Sequence, residues 1–228
     1  MPPDVLSEEE RESRWEAPPA VSVVIGLQLL MTMVSRGNGW MLAGLDWWVW
    51  LIPIPSEVAL IVALVWARRR RDVEQRGLRR DVLIGLLGLI SAANALLLLA
   101  LVISLIRLQT TSGAHLLLGA ITVLATNTVA FGLWFWAFDR GGPVRRFLPN
   151  PPRPDFQFPQ LENPQLAEPN WRPHLVDYIY VSFTNSIAFS PTDAMPLSRW
   201  AKLLMLSESV ISAVTILLVT ARAVNIFS

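Results

Sequence analysis

The sequence predicts an all-α, polytopic helical membrane protein with five or six transmembrane helices and a short, polar helical segment before the last one. Three observations carry this expectation. Of 228 residues, 53% are apolar and 16% charged, and the mean hydropathy of +0.43 is high for a soluble domain of this size. The segments Val82–Ile106 and Leu116–Phe138 each run past twenty residues without a charge, which is the length that crosses a hydrocarbon core. Tryptophans gather at the ends of apolar blocks, as side chains at a membrane–water interface do. The composition excludes a secreted disulfide scaffold, a nucleic-acid-binding domain and a conventional cytosolic enzyme. The chain contains no Cys, so thiolate metal sites and Cys nucleophiles are excluded as well.

Residues 1–20 carry six acids against Arg11 and Arg14. They lack the basic start of a cleavable signal peptide and read as an acidic cytoplasmic tail. A four-span helical region follows over 21–138. The first span is Val21–Ser35, extended by Ala17–Ala20 and closed by the polar turn RGNG at 36–39. The second, Trp47–Trp66, contains Pro53, Pro55 and Glu57, so a broken or tilted helix is expected, with Ser56 or Glu57 capping its resumed part. Trp40, Trp47, Trp48 and Trp50 form an interfacial belt before the prolines.

Residues 68–81 hold seven Arg against Asp72, Glu74 and Asp81. So basic a short loop belongs in the cytoplasm, and Arg68, Arg69, Arg70 and Arg71 are its candidate contacts to anionic lipid headgroups. Spans three and four, Val82–Ile106 and Leu116–Phe138, are joined by a hairpin turn. Residues 139–173 then form a strap, with eight prolines in the 25 positions 149–173. That composition forbids a long helix and favours extended backbone. A flexible linker and a strap packed along the helices are both open, the second supported by Phe156, Phe158, Leu161 and Trp171. The last clear span is Leu203–Ile226. Before it, the apolar part of 174–202 is short and carries Ser182, Thr184, Asn185 and Ser186, as a re-entrant helix buried in protein would.

Residues 174–228 resemble the second half of a potassium-channel pore module. YIYVSFTNS at 178–186 stands where the pore helix would be, and Pro196, Arg199 and the apolar run after them follow the pattern of filter exit and inner helix. The resemblance implies a pore helix, a filter and an inner helix, with Ser182, Thr184, Asn185, Ser190 and Asp193 as a polar pore-like motif. The filter itself departs from the pattern. Ser190 and Thr192 fall where a potassium filter has glycines and Pro191 fixes φ between them, so an ion-channel-like protein is implied, but not a potassium-selective one. The whole chain also resembles an uncharacterised bacterial family of small integral membrane proteins, through WFWAFDRGGP at 134–143, DFQFPQLENP at 155–164 and DYIYVSFTNSIAFSPTDAMPLSRWAKLLM at 177–205.

Two topologies are compatible with these spans. If 175–191 crosses, there are six spans and both termini lie inside; if it dips and returns, there are five and the C-terminus lies outside. The six-span arrangement is favoured. Ionisable groups inside spans are functional candidates. Glu57 and Glu208 are the two intramembrane carboxylates, with Glu208 expected just below the interface and bonded to Ser207, Ser209 or a neighbouring helix. Asn94 and Asn127 are expected to bond across to partner helices. Asp177, Thr184, Asn185 and Asp193 are read as caps of the short helix and its turn, with lining of a polar cavity as the alternative. His115 and His174 belong to no HExxH motif, and no GxSxG, P-loop or GxGxxG occurs. No enzyme, metal or cofactor is expected. The expected setting is a bacterial inner membrane with the N-terminus cytoplasmic, and the expected partners are the lipid bilayer and further copies of the chain, with no nucleic acid. A non-conducting scaffold working through the basic loop and the strap is the alternative to the channel-like reading.

Overall fold

The computed structural model describes residues 17–66, 73–106, 113–142, 145–147, 150–169, 171–191 and 193–227. Among these residues the protein is all-α apart from one two-residue strand pair. Its helices are α1 (Ala17–Asn38), α2 (Ile54–Trp66), α3 (Val73–Ile106), α4 (Gly113–Phe138), the four-residue α5 (Pro159–Glu162), α6 (Leu175–Ala188) and α7 (Arg199–Phe227). Among the described residues, five apolar segments are long enough to cross a membrane: α1, the 3-10 turn at Trp47–Leu51 continued by α2, the Asp81–Ile106 part of α3, α4 with its short extension, and the Arg199–Thr220 part of α7.

The second span is broken where the prolines require it. A 3-10 helix at Trp47–Leu51 stops, and α2 resumes at Ile54. Pro53 and Pro55 have no N–H to continue a single helix through this point. Ser56 turns its hydroxyl onto the Pro53 carbonyl, 2.7 Å away. Glu57 does not cap α2; its side chain leaves toward α1. The third helix is longer than its apolar run and takes in 73–81, so the second half of the basic segment is helix rather than loop.

The central helix is α4, the most deeply buried of the five long apolar segments. Two clusters of buried side chains flank it. One joins Ala17 and Val21 of α1, Leu60 and Leu64 of α2, Phe135 and Trp136 of α4, Phe156 and Phe158 of the strap, and Tyr178 of α6. The other joins Met31, Trp50, Leu97, Leu101, Leu116 and Val123 at the opposite end. The clusters fix the helix directions. The start of α1 lies beside the end of α4, and Trp40, beyond its end, stacks on His115 at the start of α4.

The strap is packed rather than loose. Phe156 and Phe158 are buried, and both rings meet Tyr178 edge-on. Trp171 lies against Phe158. Leu161 does not join this core, and Leu166 is exposed. Strand β1 (Phe156–Gln157) pairs antiparallel with β2 (Met195–Pro196) just before α7.

That pairing decides the path of α6. Its first turns lie at the C-terminal end of α4, where the Tyr178 hydroxyl donates to Asp139 Oδ2 at 2.6 Å. The helix then descends along α4 until Phe189 takes a left-handed conformation and ends it. The chain comes back to where it began: the Leu197 N–H donates to the Asp155 carbonyl, and the Asp155 N–H donates to Asp139 Oδ1, both at 2.8 Å. Fourteen helical residues reach about 21 Å, short of a hydrocarbon core of about 30 Å. Helix α6 is thus shorter than the five apolar segments that are long enough to cross a membrane, and the chain that follows it returns to the end of α4 where α6 began.

Candidate functional site

Where α4, α6 and α7 meet, one carboxyl group is enclosed by hydroxyls and amides. Residues 182, 185 and 186 are spaced i, i+3, i+4 and so share one face of α6. Val176, Tyr180, Phe183 and Ile187 form the opposite, outward stripe and are all exposed. The buried face meets Glu208, whose own exposure is 0%. Ser182 and Ser186 hydroxyls both approach Glu208 Oε1, Ser186 at 3.0 Å. The Asn185 amide donates to Oε2 at 2.7 Å.

A second ring holds these groups in place. Asn185 donates its other amide hydrogen to the Met205 carbonyl at 3.0 Å and accepts from the Ser209 hydroxyl at 3.2 Å. From α4, Asn127 donates to Ser212 Oγ at 3.0 Å and toward the Glu208 carbonyl at 3.4 Å. The Ser182 hydroxyl also lies 2.7 Å from the Thr128 carbonyl. Glu208 is nine residues into α7, about 13 Å along its axis. That is deeper than the sequence implies, because α7 begins at Arg199, ahead of the uncharged run. Asn127 at mid-α4 marks the same depth. Of the partners expected for Glu208, the neighbouring helix is found; Ser207 instead donates to the Leu203 carbonyl.

The pore-like motif divides. Ser182 and Asn185 face Glu208. Thr184 turns its hydroxyl back onto the Tyr180 and Val181 carbonyls of its own helix. Ser190 and Asp193 are exposed, and Asp193 hydrogen-bonds the Tyr180 side chain. Thr184, Ser190 and Asp193 therefore do not join the polar centre. As for capping, Asp177 Oδ2 accepts the His174 N–H at 2.7 Å, whereas Thr184, Asn185 and Asp193 use their side chains elsewhere. Asn94 donates across to the Val123 carbonyl at 3.2 Å, and Asn127 across to α7 as above. Arg68, Arg69, Arg70 and Arg71 lie outside the described residues, as does Thr192.

Three features escaped the sequence reading. Gln28 of α1 donates to Glu57 Oε1 at 2.7 Å, and both side chains are buried. Asp139 is fully buried and accepts the N–H groups of Asp155 and Phe156 as well as the Tyr178 hydroxyl. Arg146 lies over the Tyr178 ring and donates to the Pro173 and Trp136 carbonyls. The signal for Asp139 was its place directly after WFWAF, at the end of a span; for Gln28 it was a lone amide in an apolar block.

Among the described residues, no group of three or more His, Asp or Glu stands close enough to hold a metal ion. What the cradle can do chemically is hold a carboxyl group, ionised or protonated, on directed hydrogen bonds. These features define a helical protein with five segments suited to a membrane and an enclosed polar centre against the short helix α6. No protein family, curated protein or solved structure matches the chain.

Proposed function

We propose that the protein is an ion-channel-like integral membrane protein built around a pore-loop module and not selective for potassium. The observation that carries this reading is the path of residues 175–191 and 193–198: a short helix that dips beside the central helix, a return to the same end, and then a crossing helix. Its polar face meets the one carboxyl group of α7 at mid-depth, and intramembrane carboxyls are costly enough to mark working sites. The return segment lacks the glycines that would aim successive carbonyls at a dehydrated potassium ion.

In this reading the Arg-rich segment and the strap lie at the cytoplasmic end of a bacterial inner membrane, together with the N-terminus, and the C-terminus lies outside. The basic segment meets anionic headgroups there. The exposed apolar stripes of α6 and α7 face lipid or further copies of the chain. The second reading, a non-conducting scaffold, is favoured by one observation: Ser182, Asn185 and Ser186 spend their hydrogens inside the protein.

The deciding experiment is reconstitution into planar bilayers with current recorded in sodium, potassium and chloride gradients. A channel gives currents that do not discriminate potassium from sodium and that fall when Asn185 is replaced by Ala in protein that still folds. Silence from correctly folded protein at all gradients refutes the channel and leaves the scaffold.

A further inference from the structure

Three oxygens stand in a row in the cradle: the Thr128 carbonyl, Ser182 Oγ and Glu208 Oε1. The first pair is 2.7 Å apart, and the second pair is also within hydrogen-bonding distance. Each such contact needs a hydrogen between its two oxygens. The Ser182 hydroxyl supplies one hydrogen and the carbonyl none. The nearby donors are already used. Asn185 directs one amide hydrogen to Met205 and one to Glu208 Oε2, Ser186 directs its hydroxyl to Glu208 Oε1, and Asn127 is spent on Ser212 and the Glu208 backbone. The remaining source of the second hydrogen is the carboxyl group itself.

We propose that Glu208 is a proton-binding site: its Oε1–H donates to Ser182 Oγ, which donates onward to the Thr128 carbonyl, and this relay seats the re-entrant helix on α4. The ligand is a hydron. Its release breaks the Oε1–H bond, leaves the electron pair on the carboxylate and delivers the proton to water. The single Ser182 hydrogen then turns to the carboxylate, and the link to Thr128 is lost.

Among the described side chains of the three packed helices, no charged group faces the carboxyl to replace the proton. On α4, His115 stacks on Trp40 near the opposite end. Just past the end of α4, Asp139 binds the strap and Tyr178. On α6, Asp177 accepts from the His174 backbone. On α7, Arg199 and Lys202 are exposed at its start. An ionised Glu208 would thus be a buried charge without a counter-charge, held by neutral donors alone.

This inference deepens the reading of the cradle as the polar centre of the module and rests on that reading for its membrane setting. It is tested separately from conduction, by infrared spectroscopy of the protein in phosphatidylcholine vesicles near neutral pH. The wild type, E57Q, E208Q and S182A are compared. Expected is a protonated-carboxyl C=O band that persists in E57Q, disappears in E208Q and moves to higher frequency in S182A, where its acceptor is gone. Absence of the band from E57Q, whose cradle is untouched, overturns the proposal whether or not E208Q folds. Retention of the full band in folded E208Q overturns it equally. A protein that passes no current yet shows the band refutes the channel and leaves the proton site standing.

Discussion

Gly132 offers the sharpest test of how α6 is seated. It lies on α4 where Ile179 of α6 passes, and a methyl group placed on it would stand 2.9 Å from both Ile179 Cα and Cγ1 and 3.2 Å from Ile179 N. Carbon atoms at rest sit about 3.5–4.0 Å apart, so Gly132→Ala forces α6 away by roughly 0.6–1 Å. The Ile179 Cγ1 contact can be relieved by a rotamer change, but the Cα and N contacts are backbone and cannot. Overpacking of this kind costs about 1–3 kcal/mol, and the gain in helix propensity from Gly to Ala returns up to about 1 kcal/mol. A net loss of up to roughly 3 kcal/mol follows. Gly85 and Gly88 of α3 provide the control, since nothing lies within 4 Å of a methyl at either position. The assay is equilibrium unfolding in mixed micelles, with wild type, G132A and G85A side by side. G132A should be the least stable and G85A equal to wild type or slightly better. Equal stability of G132A and G85A would refute the close α4–α6 contact, and with it the geometry that brings Ser182 to Thr128.

Other substitutions test the remaining contacts. Asp139→Ala strands three donors, each bonded to a charged acceptor at about 1.5–3 kcal/mol. It should release the strap, read as faster proteolysis between residues 150 and 171, and an unchanged digestion rate would count against the clamp. Tyr178→Phe removes one of those bonds and should give a smaller effect in the same assay. Asn94→Leu loses the bond to the Val123 carbonyl and should cost roughly 0.6–2 kcal/mol in micelle unfolding; no loss would mean the bond is not formed in the membrane. Single cysteines at Leu166, which is 84% exposed, and at Ser228 test the topology against an impermeant thiol reagent. The native chain has no Cys, so the background is silent. Position 228 should label in intact cells and position 166 after lysis, and labelling of both from one side would sink the five-span arrangement.

The expectations differ in how they fared, and the differences have physical causes. The break in the second span was legible because proline acts through its own covalent structure, wherever the rest of the chain lies. Of the two residues read as capping the resumed helix, Ser56 gives its hydroxyl to the Pro53 carbonyl and Glu57 turns to Gln28, 29 positions away in sequence. Ser182 and Asn185 were picked out by polarity inside an apolar stretch. Ser186 belongs with them by helical spacing, and Thr184 is excluded by the same spacing. Ser190 and Asp193 were assigned from a resemblance to a filter, yet the return segment is held by pairing with Phe156 and Gln157, which leaves both side chains at the surface.

By itself the sequence determined which segments are long and apolar enough for a membrane, where proline interrupts them, and which polar residues are buried at a cost, because hydropathy, backbone restriction and desolvation are properties of each residue and its near neighbours. Only the tertiary structure decided that 175–188 turns back, that Glu208 is the carboxyl it meets, and that Asp139 ties the strap to α6. Those outcomes depend on hydrogen bonds between residues 15 to 85 positions apart, whose partners are selected by the packing of helices against α4.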